Sequence, residues 1–349
     1  MKNNLFKILI LLPLFFGCCK TETSDKKSDY KSSYLDYSKS DDQFTGGIKM
    51  IPITTSKGTF KVWTKRVGNN PKIKVLLLHG GPGGTHEEFD CFDGYFPNQS
   101  IEYIYYDQLD SYYSDKPNDS ILWTTERFVD EVEQVRKALN LDKDNFYLLG
   151  QSWGGILAME YALKYQDNLK GLIISNMMAS APEYGKYANE VLGPKLPPEV
   201  LKEIKTMEAN NDYANPKYEE LLTNYYYTQH ILRMPVDKWP NSVNLLFKHL
   251  NPNIYVYMQG PSEFGMAGNA TLKEWDVSKR LKTLKIPTLV IGAKYDTMDP
   301  KYMEWMSNQV KHGRYLYCKN GSHLSQYDDQ KTYFNGLIKF LKDVDSGKF

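Results

Sequence analysis

The sequence predicts an α/β domain with a mostly parallel central sheet flanked by helices. Three observations carry that prediction. From Gly47 onward, short β-rich runs alternate with helical stretches. The later β-rich runs are apolar throughout, as strands covered on both faces must be. The alternation fails once, over residues 181–280, where helical patterns rich in Tyr replace it, and then resumes near Leu281.

The elements follow in order. The first twenty residues, MKNNLFKILILLPLFFGCCK, set Lys2 and Lys7 ahead of an apolar run from Ile8 to Phe16. This reads as the charged and apolar regions of a secretory signal, and the run is too short to cross a bilayer. It stops at Gly17-Cys18, which resembles the lipobox of bacterial lipoproteins, although Phe15 and Phe16 stand where Leu and a small residue are usual. The expectation is an exported, envelope-located chain attached to a membrane through a lipid on Cys18. The alternatives are an ordinary signal peptide or an uncleaved anchor. With residues 1–19 as the signal, residues 20–46 are rich in Ser, Lys and Asp without apolar periodicity and read as a tether.

Next, IKMIPI and TFKVWTKRV straddle TTSKG and predict a hairpin, followed by the strands IKVLLLHG, IEYIYYDQ, NFYLLGQS and LKGLIISN. Between IEYIYYDQ and NFYLLGQS, TTERFVDEVEQVRKALNL places Phe128, Val132, Val135 and Leu139 at helical spacing behind a threonine cap. Strand, strand and helix return in IPTLVIGAK, GRYLYCKN and QYDDQKTYFNGLIKFLKDV. These are too little to form a core alone. Residues 47–180 and 281–349 are therefore expected to form one α/β core, with residues 181–280 as a helical cap inserted after the sixth strand. Cys91 and Cys318 fall on distant elements, so no bridge between them is assumed.

The chain has 349 residues, 41% of them hydrophobic, enough for a sizeable core. Its 43 Lys and Arg against 42 Asp and Glu leave a net charge of +1, which provides no field to gather nucleic acid. No His, Cys and carboxylate cluster has metal-ligand spacing, and neither a metal nor a cofactor is expected.

Three segments carry chemistry. Gly150-Gln151-Ser152-Trp153-Gly154 lies between an apolar strand and a helical stretch, the context of a nucleophile elbow that holds a serine on a strained turn. In LLLHGGPGG, glycines after a strand let backbone N–H groups face a developing oxyanion, with Gly81 and Trp153 as the expected donors. The segment has neither the Walker pattern nor a G-x-G-x-x-G turn, so phosphate binding is disfavoured. The orienting acid and the base should follow in that order: Asp296 ends a buried-type strand and His323 lies just beyond the next. Asp299 is the alternative acid, although Asp299-Pro300 reads better as a helix N-terminus.

HGGPGG, YYDQ, GQSWGG, MQGPSEF, KIPTLVIGAKYD and GSHL occur in the order and context that identify the chain as resembling the proline iminopeptidase family of α/β-hydrolases, over residues 47–349. The resemblance implies the α/β-hydrolase fold, a Ser152–Asp296–His323 triad and a helical cap roofing it. It also implies a serine aminopeptidase that takes short peptides with a free N-terminus and releases the first residue, often proline. Glu263, in GPSEF, matches the family's amine-binding glutamate. Two departures stand out. Thr297 occupies the place of a second acid in the tricorn-interacting members, and Tyr112 and Tyr113 stand where small residues are usual and are expected to narrow or reshape the pocket. The rival readings are an esterase or amidase of small neutral substrates and a catalytically silent envelope binding protein.

Overall fold

The computed structural model describes Tyr34 and residues 47–349. The signal segment with Cys18 lies outside the described residues. Within 20–46 only Tyr34 is described: it is buried, its hydroxyl donates to the Ile101 carbonyl at 2.6 Å, and its ring fills the space a side chain would need at Gly68.

Eight strands form one sheet in the order β1-β2-β4-β3-β5-β6-β7-β8. The hairpin β1 (Ile48–Thr55) and β2 (Gly58–Val67) is antiparallel, and β2 runs antiparallel to β4 (Glu102–Asp107). From β4 onward every pairing is parallel, through β3 (Lys74–Leu78), β5 (Phe146–Gln151), β6 (Gly171–Ser175), β7 (Thr288–Ala293) and β8 (Gly313–Cys318). Strands β4 to β7 are buried along almost their whole length because helices cover both faces. Apolar side chains pack on one face against α1 (Thr125–Ala138) and α2 (Trp153–Tyr165), and on the other against the C-terminal helix. The Thr124 hydroxyl caps α1 by accepting from the Arg127 N–H at 3.3 Å.

The helical insertion begins after β6 and has a closed base. Ser180 bridges Asp276, the Ala181 N–H donates to the Trp275 carbonyl at 2.8 Å, and the Val277 N–H donates to the Ala179 carbonyl at 2.9 Å. Between these points run α3 (Ala181–Tyr187), α4 (Pro198–Ala209), α5 (Pro216–Leu222), α6 (Asn241–His249) and α7 (Pro252–Met258). The chain reaches Leu281 in a short 3₁₀ segment, Ser278–Thr283, and rejoins the sheet only at Thr288. Helices α8 (Pro300–Gln309), α9 (Ser325–Asp328) and α10 (Gln330–Asp345) complete the core. Cys91 and Cys318 are both free thiols.

The antiparallel edge is tied to the parallel core by a buried ion cluster. Glu102 of β4 has an oxygen 3.2 Å from Nε of Arg66 on β2 and another 3.0 Å from Nζ of Lys74 on β3. All three lie at the end of the sheet away from the loops that follow β5, β7 and β8. Removing one partner of a buried pair leaves the other charge desolvated. Glu102→Ala should therefore destabilise the fold by about 3–5 kcal/mol in urea unfolding, with kcat of the remaining folded enzyme unchanged.

Candidate active site

The site is built at the carboxyl ends of the parallel strands, where open α/β sheets place their ligands. Strand β5 ends at Gln151 and α2 begins at Trp153, so Ser152 must turn the chain by itself. It does so at φ 54°, ψ −122°, a conformation that costs a non-glycine residue about 1–3 kcal/mol. The surroundings enforce it: a Cβ on Gly150 would stand 1.9 Å from the Gly154 carbonyl oxygen, and one on Gly154 would stand 2.0 Å from the Leu78 carbonyl oxygen. The turn is pinned further by the Ser152 N–H, which donates to the Ser175 carbonyl at 3.0 Å.

His323 and Asp296 meet across the ends of β8 and β7. The His323 Nδ1 lies 2.8 Å from Asp296 Oδ1. The other carboxylate oxygen accepts from Asn176 Nδ2 at 2.7 Å. Asn176 follows β6 directly, and its side-chain oxygen accepts from the hydroxyls of Ser175 and Ser325, each at 2.9 Å, so its amide is locked in orientation. Burial works against a charged His323, but Asp296, its hydrogen bond, and the carboxyls of Glu88 and Glu263 together hold the imidazole above its ordinary value. Thr297 sits on this pair, its hydroxyl 3.1 Å from Nδ1 and 3.3 Å from Asp296 Oδ1. Asp299 is elsewhere: it caps α8, accepting from the Lys301 N–H at 2.9 Å.

Ser152, His323, Gly81, Trp153 and Glu263 line one cavity of about 200 Å³. Gly81 has φ +107°, and a Cβ there would stand 2.6 Å from the Gly84 nitrogen, so the loop admits only glycine. Among the described residues, neither the Gly81 nor the Trp153 N–H donates to a backbone carbonyl of a turn or loop. A buried network joins the two. The His79 ring donates from Nδ1 to the Gly80 carbonyl at 2.9 Å and accepts at Nε2 from the Gln108 N–H at 3.2 Å. Gln108 in turn donates to the His79 carbonyl and accepts from the Trp153 indole at 2.9 Å. Desolvation pushes His79 down to about 4, so the ring is neutral and its tautomer is set by these bonds.

The cap closes the cavity from above. Glu263 Oε1 accepts from the Tyr255 hydroxyl at 2.9 Å, and Tyr227 also hydrogen-bonds the carboxyl. Burial raises its proton affinity against the pull of those hydroxyls and of His323. The chain after α5 continues as a π-helix, Thr223–Ile231, whose last carbonyls accept from the His323 and Leu324 N–H groups, each at 2.9 Å, so the cap rests directly on the histidine loop. Tyr112 and Tyr113 do not narrow the pocket, for neither lines it. Tyr112 instead stacks on His249 of the cap with ring centroids 4.0 Å apart, and Tyr113 stacks beside His86. Cap and core are clasped there again by His249 Nδ1, 2.9 Å from Glu87 Oε2.

Three residues of the site, Asn176, Glu88 and Gln108, are not singled out by sequence reasoning. Gln108 stands within the YYDQ segment; nothing local marks the other two.

Residues 74–330 match the alpha/beta hydrolase fold family. A proline iminopeptidase of Flavobacterium johnsoniae is 62% identical over 299 residues, covering 86% of this chain and 99% of the relative, and one of Elizabethkingia meningoseptica is 62% identical over 300 residues, covering 86% and 100%. Among solved structures, a proline iminopeptidase of Mycobacterium smegmatis superposes with a TM-score of 0.74 at 26% identity, covering 86% of this chain and 100% of its own. With its strained serine turn, its histidine held by a carboxylate and a helical cap over both, the chain belongs to the alpha/beta hydrolases, and within them to the proline iminopeptidase family.

Proposed function

We propose that the protein is a serine aminopeptidase that releases the N-terminal residue, proline foremost, from short peptides. The observation that carries this reading is the placement of Glu263. A half-buried carboxyl faces the cavity that holds Ser152 and His323, and the rest of the wall is largely apolar, including Met177, Met266, Met298 and Leu324. A pyrrolidine ring suits such a wall, and its cationic nitrogen suits the carboxylate.

In this reading His323 Nε2 takes the Ser152 proton as Oγ attacks the scissile carbonyl, and Asp296 holds the ring through Nδ1. The oxyanion is met by the Gly81 and Trp153 N–H groups. Collapse of the adduct breaks the C–N bond, and the departing amine takes the proton from Nε2. Water then attacks the acyl-enzyme, giving a proton to His323; collapse of this second adduct breaks the bond to Ser152 Oγ, which takes that proton back, and the free amino acid leaves.

Ser152→Ala should lower kcat by on the order of 10³ or more. Asp296→Asn should cost on the order of 10⁴, whereas Asp299→Asn should leave kcat and stability nearly unchanged, because an amide oxygen accepts the Lys301 N–H at the helix cap as the carboxylate does. His323 must be neutral in the free enzyme to act as a base. Because its proton affinity is raised, kcat/KM should fall as pH drops through a value above the ordinary imidazole range. Proline arylamide turnover measured across pH, beside urea unfolding for Asp299→Asn, checks all of these.

Glu263 separates peptidase from esterase chemistry. N-acetylation of the substrate and Glu263→Gln should each lower kcat/KM by about tenfold or more, and the two losses should not multiply, since both break one contact. Equal turnover of acetylated and free-amine substrates would leave an esterase or amidase instead.

The reading extends to an exported enzyme held in the cell envelope by acyl chains on Cys18, supported by the apolar run that stops at Gly17-Cys18. Acyl chains contribute about 0.8 kcal/mol per buried CH₂, and two or more hold stably. The protein should enter the detergent phase on partitioning, and Cys18→Ala should release it or leave an unprocessed precursor. Mass spectrometry should find an acylated Cys18 as the mature N-terminus; any other N-terminus removes the anchor.

A further inference from the structure

Glu88 is a buried acid inside the active site that the steps above leave without a task. It lies in the 3₁₀ segment His86–Gly94 that follows the glycine loop, is 3% exposed, and lines the cavity with Ser152 and His323. Its Oε2 accepts from the Gly80 N–H at 2.6 Å. Gly80 is the residue before the Gly81 donor, and it is the point at which this loop touches the nucleophile. A Cβ on Gly80 would stand 3.1 Å from Ser152 Cβ and 3.3 and 3.4 Å from the two Glu88 oxygens. The carboxyl and the serine therefore flank the same glycine, and any side chain between them would push one of the two aside.

We propose that Glu88 is a positioning residue for the acyl-transfer step: it clamps the Gly80 N–H so that the next amide points at the oxyanion, and its charge favours the His323 imidazolium that forms when Ser152 gives up its proton. This rests on the roles given above to Ser152 and His323.

The physical case has two parts. A charge-assisted hydrogen bond from a backbone N–H to a carboxylate is short and about twice as strong as a neutral one, which suits a loop whose donor must not move during the reaction. The charge also acts on the base. The titratable groups facing His323 are Asp296 on the loop after β7, Glu263 from the cap and Glu88 from the segment after the glycine loop. Around Glu88 stand His323, Cys91 on its own segment and Tyr333 of α10, while the cavity wall contributes no lysine or arginine among the described residues. Desolvation lifts the Glu88 carboxyl to about 7, against the Gly80 hydrogen bond and His323, so it titrates near neutral pH. A proton leaving Glu88 therefore strengthens the hold of His323 on its own proton, and the two groups titrate as a linked pair.

Glu88→Gln keeps an oxygen for the Gly80 N–H and removes the charge; Glu88→Ala removes both. The readout is the second-order rate of Ser152 labelling by a fluorophosphonate across pH, beside proline arylamide turnover, with thermal melts to establish folding. Without the carboxylate, His323 releases its proton more easily, so in Glu88→Gln the acid limb of labelling should move to lower pH by on the order of half a unit to one unit. Glu88→Ala should also lose labelling rate at the plateau by on the order of tenfold to a hundredfold, from a loosened donor loop, with KM for the arylamide nearly unchanged. An acid limb that stays in place in Glu88→Gln overturns the proposal whatever the rate. Because labelling needs only an activated serine, a parent that labels but leaves proline arylamide intact would count against the aminopeptidase reading while leaving the test of Glu88 in force.

Discussion

The site depends on how closely α2 must approach the sheet. Ser152 is held at φ 54° because the strand before it and the helix after it meet with backbone packed directly on backbone, Gly150 against Gly154 and Gly154 against Leu78. Any Cβ at those glycines would lift the helix off β3 and relax the serine into an ordinary turn. The same packing fixes the distance from the serine to the loop after β3, which carries Gly80 and Gly81. Ser152 and the Gly81 and Trp153 amides are thus set together, and the His79–Gln108–Trp153 network stiffens the arrangement from below. The strain at Ser152 is small against the burial of β3, β5 and β6 around it, and so it persists.

The cap contributes what the core lacks. A strained serine with an acid-held imidazole serves acyl transfer in general, and nothing in the sheet distinguishes an amine from an ester. In the proposed reading selection enters through residues 181–280, whose base is closed by Ser180 and Asp276 and which, clasped by Tyr112, His249 and Glu87, hold the tyrosines and Glu263 over Ser152. In sequence, Tyr112 reads as an intrusion into the pocket because a bulky residue stands in place of a small one. Its ring instead packs flat against the cap, a use that depends on a partner far along the chain, at His249.

That contrast marks what is legible in the sequence. The central strands announce themselves because burial on both faces makes them largely apolar, and Ser152, Asp296 and His323 because each follows a strand at the same sheet end. Motifs of this kind are local, written in a few consecutive residues. Asn176 and Glu88 are not. Asn176 is an ordinary residue after β6 until β7 brings Asp296 to 2.7 Å from it, and Glu88 is one of several acids in a short helical turn until the glycine loop folds back onto it. Their roles arise from tertiary contact, which no periodicity records. The expected return to the core near Leu281 falls in a 3₁₀ turn, Ser278–Thr283, whose Leu281 is buried against the core, and the strand itself, within IPTLVIGAK, begins at Thr288.

The charges around the cavity give the arrangement its direction. Glu88, Glu263 and His323 face it, and no lysine or arginine lines it among the described residues. Two carboxyls drawn out of water without a cation have raised proton affinities, and burial leads the causes for both. An entering ammonium supplies the missing charge, and it favours the ionised form of Glu263 over the protonated one. Binding of the amine and loss of the Glu263 proton are therefore linked: affinity for an amine holds above the raised pKa and weakens as pH falls through it. A neutral ester offers no such compensation and must enter beside a carboxyl that either stays protonated or bears its desolvation alone. The electrostatics of a wall with two carboxyls and, among the described residues, no lysine or arginine thus favour a substrate that brings its own positive charge, and they do so before any specific contact with the side chain of its first residue is counted.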